Sequence, residues 1–160
     1  MPEVALVIID DFLIRGQITL HWCSQLETDL VIVVNDKVQQ NKMQQGILDM
    51  CLPEEIFARY YSLEQAQSKM QTIDSSRNAI LVCENLNDFK QLYDNGVTTS
   101  HLILSSQKKG RGRKNYTNDV SLSNEEILLL KELQKNGIKI EFRQSPFDST
   151  LTLSQVLSLN

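Results

Sequence analysis

The chain has 160 residues, 41% of them hydrophobic and 22% charged, with a formal net charge of −4. That length and composition support a globular fold with a real core in one domain spanning 1–160, and the mild acidity excludes a surface made for nucleic acid. No apolar run approaches the ~20 residues that a bilayer crossing needs, and Cys23, Cys51 and Cys83 lack CxxC spacing, as reduced structural thiols in a cytoplasmic protein do.

Val4 to Ile9 is a continuous apolar run, bracketed by Glu3 and Asp10 and without a basic flank. It reads as a buried parallel strand rather than a signal peptide. Residues 16–26 read as a helix with Ile18, Trp22 and Leu26 on one face. Leu30 to Val34 is a second buried strand, ending at Asn35-Asp36. The pattern predicts a helix over 38–50, with Met43, Ile47 and Met50 on its inner stripe, stopped by Pro53.

Pro53 also begins a crossing to residues 56–61, and Ser62 with Gln65 forms a capping box for a helix over 63–71. Residues 78–83 make another buried strand, and 86–93 a helix closed by Asn95-Gly96. A short strand begins at His101. Ser123 with Glu126 caps an amphipathic helix that ends at Asn136-Gly137, and the alternation over 138–142 predicts an edge or half-exposed strand.

Strands alternating with helices imply an α/β domain, a mostly parallel central sheet with helices on both faces. In such sheets a ligand sits beyond the carboxyl ends of the strands. Asp10, Asp11, Asn35 and Asp36 all fall there. Nothing in the sequence asks for a cofactor or a metal.

The run Ile8-Ile9-Asp10-Asp11-Phe12-Leu13-Ile14-Arg15-Gly16-Gln17-Ile18 adds a family. It resembles the signature Arg-Ile-Asp-Asp-Arg-Leu-Ile-His-Gly-Gln-Val of the IIB component of mannose/sorbose-family phosphotransferase (PTS) sugar-uptake systems. Trp22, the stretch Val33 to Val38, Pro53, the 59–62 turn, and the close Asn136-Gly137-Ile138 with Pro146-Phe147-Asp148 extend the resemblance almost end to end. It implies phosphoryl relay from a IIA donor to a sugar, with membrane IIC and IID subunits as further partners. It also implies a cytoplasmic place, peripheral at the inner face of the membrane through those subunits.

The departures gather at the active loop. The family's phosphohistidine position is Arg15, and its two signature arginines are Ile8 and Phe12. The family's later Asn-Val-Gly is Ile103-Leu104-Ser105. Arginine stays protonated and offers no lone pair, so Arg15 cannot do the histidine's work. It can hold a phosphate or carboxylate through a fork. Asp10, which in the family would orient the histidine, is left to pair with Arg15. Five coordinated changes point to a phosphorylation-deficient regulatory or docking subunit, with binding residues Asp11, Gly16, Gln17, Asn35 and Asp36.

Two other readings stay open. One is an active phosphotransferase that uses another acceptor such as His21. The other is a phosphate or small-ligand sensor in which Arg15, Asp10 and Asp36 bind without reacting. The segment Lys108 to Lys114 carries five positive charges in seven residues. It reads as a solvated loop or as an anion and partner patch formed by Lys108, Arg111 and Arg113. Tyr116 is its only nearby aromatic, so nucleic acid is not the expected partner. A homo-oligomer is allowed but not indicated.

Overall fold

A computed structural model describes residues 1–159, so Asn160, the last residue of the expected domain, lies outside the described residues. Six strands run parallel: β1 (Glu3–Asp10), β2 (Leu30–Val34), β3 (Phe57–Tyr61), β4 (Asn78–Cys83), β5 (His101–Ser106) and β8 (Lys139–Phe142). Between β5 and β8 in sequence, β6 (Arg113–Asn115) and β7 (Ser121–Ser123) form a separate antiparallel hairpin. A two-residue strand, β9 (Leu151–Thr152), closes the main sheet antiparallel to β8, giving the order β3-β2-β4-β1-β5-β8-β9.

The strands are apolar without a break because both of their faces are covered. In β1, Val7 and Ile9 enter one core while Leu6 and Ile8 enter the other. The first core takes Leu86, Phe89 and Leu92 of α5 (Leu86–Asp94) and Leu130 and Leu133 of α6 (Asn124–Lys135). The second takes Trp22 and Cys23 of α1 (Gln17–Gln25). Each side chain so buried contributes about 1.5–3 kcal/mol, so the two cores outweigh any single polar contact. Trp22 also satisfies its indole: Nε1 donates to the Gln144 carbonyl at 2.8 Å, tying α1 to the C-terminal segment.

The helix ends follow the sequence signals. The Ser123–Glu126 capping box is present, and Gly96 and Gly137 adopt φ of +99° and +95° just past α5 and α6. The Ser62–Gln65 box also forms, but it closes a turn, and α4 is only Ala66–Met70.

Two expectations are corrected. The helix predicted over 38–50 is two: α2 (Asp36–Gln39) and α3 (Lys42–Met50). Asn41 ends the first and restarts the second by accepting the Gln44 N–H, which resets the phase of the helix. As a result Leu48 faces the core, while Met43, Ile47 and Met50 are 79%, 57% and 86% exposed. The strand over 138–142 is not an edge: β9 covers it, and Ile140, Glu141 and Phe142 are all buried. Among the described residues no helix is long and apolar enough to cross a membrane.

The connection after β1 leaves to one face through α1, and the connection after β4 leaves to the other through α5. Because β4 and β1 are neighbours, their carboxyl ends diverge at a switch point, the place where such sheets bind ligands.

Candidate functional site: the loop after strand β1

Asp10 ends β1 and is 2% exposed. Its Oδ1 accepts the Phe12 N–H at 2.8 Å, and its carbonyl accepts the Leu13 N–H at 2.9 Å. This turn holds Leu13 at φ +63°, a left-handed conformation that costs a side chain about 1–2 kcal/mol. Burial of Leu13 and Ile14 in the α1-side core offsets that cost. Phe12 is turned out to solvent, 63% exposed.

Arg15 folds back over this turn. Its Nε lies 2.8 Å from Asp10 Oδ2, an ion pair whose N–H is not aligned as a hydrogen bond. Its guanidinium carbon sits 4.3 Å above the Phe12 ring, a cation–π contact. The Arg15 N–H donates to Thr19 Oγ1 at 3.0 Å, which starts α1. Gly16 at φ +53° makes the corner, and Gln17 is the first helical residue. Asp11 donates its N–H to the Ser106 carbonyl at 3.1 Å, while its Oδ1 is buried with no hydrogen-bond partner among the described residues. Burial raises the Asp10 carboxyl above the usual range, and the Phe12 N–H, Ser105 and Arg15 only partly counter it.

Asn35 and Asp36 lie apart from that loop and are occupied locally. Asn35 caps α2 through the Val38 N–H and donates to Glu84 Oε2 at 2.8 Å. Asp36 accepts the Leu63 N–H. Glu84, just past β4, also holds Lys108 at 3.1 Å. Burial would raise the Glu84 carboxyl, but Lys108, Asn35 and Lys37 outweigh it and hold it low. Asp88 on α5 is pushed up to about 6 by burial and by the nearby charges of Glu84 and Asp36.

The basic segment is less free than its charge suggests. Arg113 joins β6, donates to the Ser121 carbonyl and pairs with Glu126 at 2.6 Å. Lys108 is engaged by Glu84, and Arg111 is exposed without an ion pair among the described residues. The two buried cysteines are poor nucleophiles. Burial raises Cys83 strongly, and burial with the Asp29 charge pushes Cys23 up to about 11.

The family model for the PTS system sorbose-subfamily IIB component matches residues 4–160. The chain belongs to that family. It is 30% identical over 162 residues to the PTS system fructose-specific EIIB component of Bacillus subtilis, covering 98% of this chain and 97% of that one. It is 26% identical over 157 residues to the N-acetylgalactosamine-specific phosphotransferase enzyme IIB component 2 of Escherichia coli, covering 98% and 100%. Among solved structures, the IIBSor domain of the sorbose permease from Klebsiella pneumoniae superposes with a TM-score of 0.84 at 26% identity, covering 97% of this chain and 96% of that one.

In this IIB-family chain the loop therefore brings together Asp10, Asp11, Arg15 and Gly16, with Ser105 and Ser106 of β5 beneath it. Asn35, Asp36 and Glu84 form a second group beside it, and Lys108 reaches that group from the end of β5. Sequence reasoning missed Glu84 and Gln107. Glu84 carries a signal that was legible, a carboxylate directly after a buried strand, whereas Gln107 carries none.

Proposed function

We propose that this chain is a IIB-type subunit that docks in a sugar phosphotransferase system without carrying the phosphoryl group. The observation that carries the proposal is Arg15: it stands where the sequence resemblance puts the phospho-accepting histidine, and it is held between Asp10 and Phe12. A guanidinium has no nucleophilic lone pair, and its pairing with Asp10 removes the carboxylate that would orient an imidazole. The two histidines are engaged elsewhere. His21 packs against Phe147 with ring centroids 4.9 Å apart, and His101 pairs with Glu141 at the opposite, amino end of β5.

The expected partners are a cytoplasmic IIA and the membrane IIC and IID subunits of the system. A partner that reads the loop meets apolar surface as well. Phe12 projects from the loop, and Gly16 packs against Cys51 at the end of α3, whose Ile47 and Met50 are exposed. The decisive experiment is intact-protein mass after incubation with phosphoenolpyruvate, the general phosphocarriers and a cognate IIA, paired with IIA pull-down. The expected result is capture without added phosphoryl mass. A labile phosphoryl adduct on the wild type overturns the proposal.

A further inference from the structure

Beyond the loop lies a recess of about 300 Å³ between α2, the segments just past β4 and β5, the first residue of β6 and the start of α6. No residue of the loop 10–17 lines it. Its cationic wall has two parts. Lys108 and Arg113 are already paired with Glu84 and Glu126. Lys37 and Lys109 line the same recess, and neither makes an ion pair among the described residues. Counting those four cations against Glu84 and Glu126, the lining carries net positive charge on an acidic protein.

The independent sign of a ligand is Gln107. It lines the recess, is only 6% exposed, and neither its Nε2 nor its Oε1 has a hydrogen-bond partner among the described residues. The buried Nε of Arg113 is likewise unpartnered. Buried amides are nearly always satisfied, so an idle donor and acceptor side by side call for a partner supplied from outside. A hydroxyl both accepts and donates, and so can meet both halves of the amide. A phosphate has oxygens and charge enough to take two ammoniums.

We infer that this recess binds a small phosphomonoester that carries hydroxyls, with Lys37 and Lys109 on the phosphate and the Gln107 amide on a hydroxyl. The paired carboxylates set the selectivity: Glu84 and Glu126 discourage a second anionic group and hold Lys108 and Arg113 in place. The site does not depend on whether Arg15 or any other residue carries a phosphoryl group.

The test is an NMR titration of the full chain with glucose 6-phosphate at low ionic strength, following the Gln107 side-chain amide and the backbone amides of Lys108 and Lys109. Inorganic phosphate and glucose serve as controls. Saturable shifts with glucose 6-phosphate are expected, weaker ones with inorganic phosphate, and none with glucose. Gln107→Leu is expected to weaken glucose 6-phosphate binding by about tenfold. Lys109→Ala, a change at an exposed residue that leaves the fold intact, is expected to weaken it several-fold. Absence of saturable shifts at millimolar ligand overturns the site. Unchanged affinity in the Lys109→Ala variant does so too, even if Gln107→Leu fails to fold. Inorganic phosphate binding as tightly as glucose 6-phosphate overturns the hydroxyl assignment.

Discussion

Arg15 Nε and Asp10 Oδ2 close to 2.8 Å across the turn that joins β1 to α1, with the Phe12 ring on the other side of the guanidinium. The three residues form a stack that fills the loop. The carboxylate in it serves two partners, the Arg15 charge and the Phe12 N–H.

The second of those roles dominates stability. Asp10 is buried enough that its ionised form is penalised, so the charge itself adds little. Asp10→Asn keeps an acceptor for the Phe12 N–H and is expected to change unfolding free energy by less than about 1 kcal/mol, whereas Asp10→Ala orphans that N–H and costs about 1–3 kcal/mol. Urea denaturation of both variants checks this, and equal losses would refute it.

Restoring phosphoryl chemistry requires more than an imidazole. Arg15→His supplies a nucleophile, but no cation then stands at the loop to stabilise transferring charge. Phe12 is 63% exposed, so Phe12→Arg is tolerated by the fold. The double variant Arg15→His, Phe12→Arg is expected to take up phosphoryl groups from IIA about 10²-fold faster than Arg15→His alone. Quenched-flow mass measurement would show it, and equal rates would contradict this account of the loop.

Gly16 is required for its backbone rather than for space. A Cβ there would meet the Cys51 carbonyl at 3.6 Å and the Cys51 Cβ at 4.0 Å, ordinary contacts, but the residue sits at φ +53°. Gly16→Ala is expected to cost about 1–2 kcal/mol without a change in partner binding if the loop keeps its shape. Thermal unfolding measures the first part and pull-down the second.

Asp88 gives the fold a pH dependence. Its folded value of about 6 lies above the 3.8 of a free carboxyl, so folding takes up a proton there. The stability from that proton is fully present below about pH 4 and is lost as pH rises through 6. Asp88→Asn is therefore expected to raise Tm at pH 7.5 and to leave it nearly unchanged at pH 4. A Tm difference independent of pH would exclude this role for Asp88.

The orientation of α3 can be tested by truncation. Leu48→Ala is expected to cost about 2–3 kcal/mol, while Met50→Ala stays within about 0.5 kcal/mol. Similar losses at both positions would restore the stripe of Met43, Ile47 and Met50 to the core.

Features written in local chemistry were legible from the sequence alone. The unbroken apolar strands gave the parallel sheet, the Ser123–Glu126 pair and the glycines after α5 and α6 gave helix ends, and the end of β1 gave a turn with Asp10 and Arg15 in reach of each other. Each depends on residues a few positions apart, whose physics needs no distant partner. The direction of an amphipathic stripe is not local. Met43, Ile47 and Met50 share a helical face, but the restart at Asn41 and the position of α3 against the sheet decide that this face meets solvent. The status of β8 was hidden for a similar reason. Its cover, β9, is two residues long and becomes a strand only by pairing with Glu141 and Phe142. The recess holding Gln107 is the extreme case, because its walls come from α2, from the segments just past β4 and β5, from β6 and from α6. Sheet order together with the packing of α2, β6 and α6 makes those segments neighbours, so that site was decided by the tertiary structure and not by any stretch of the chain.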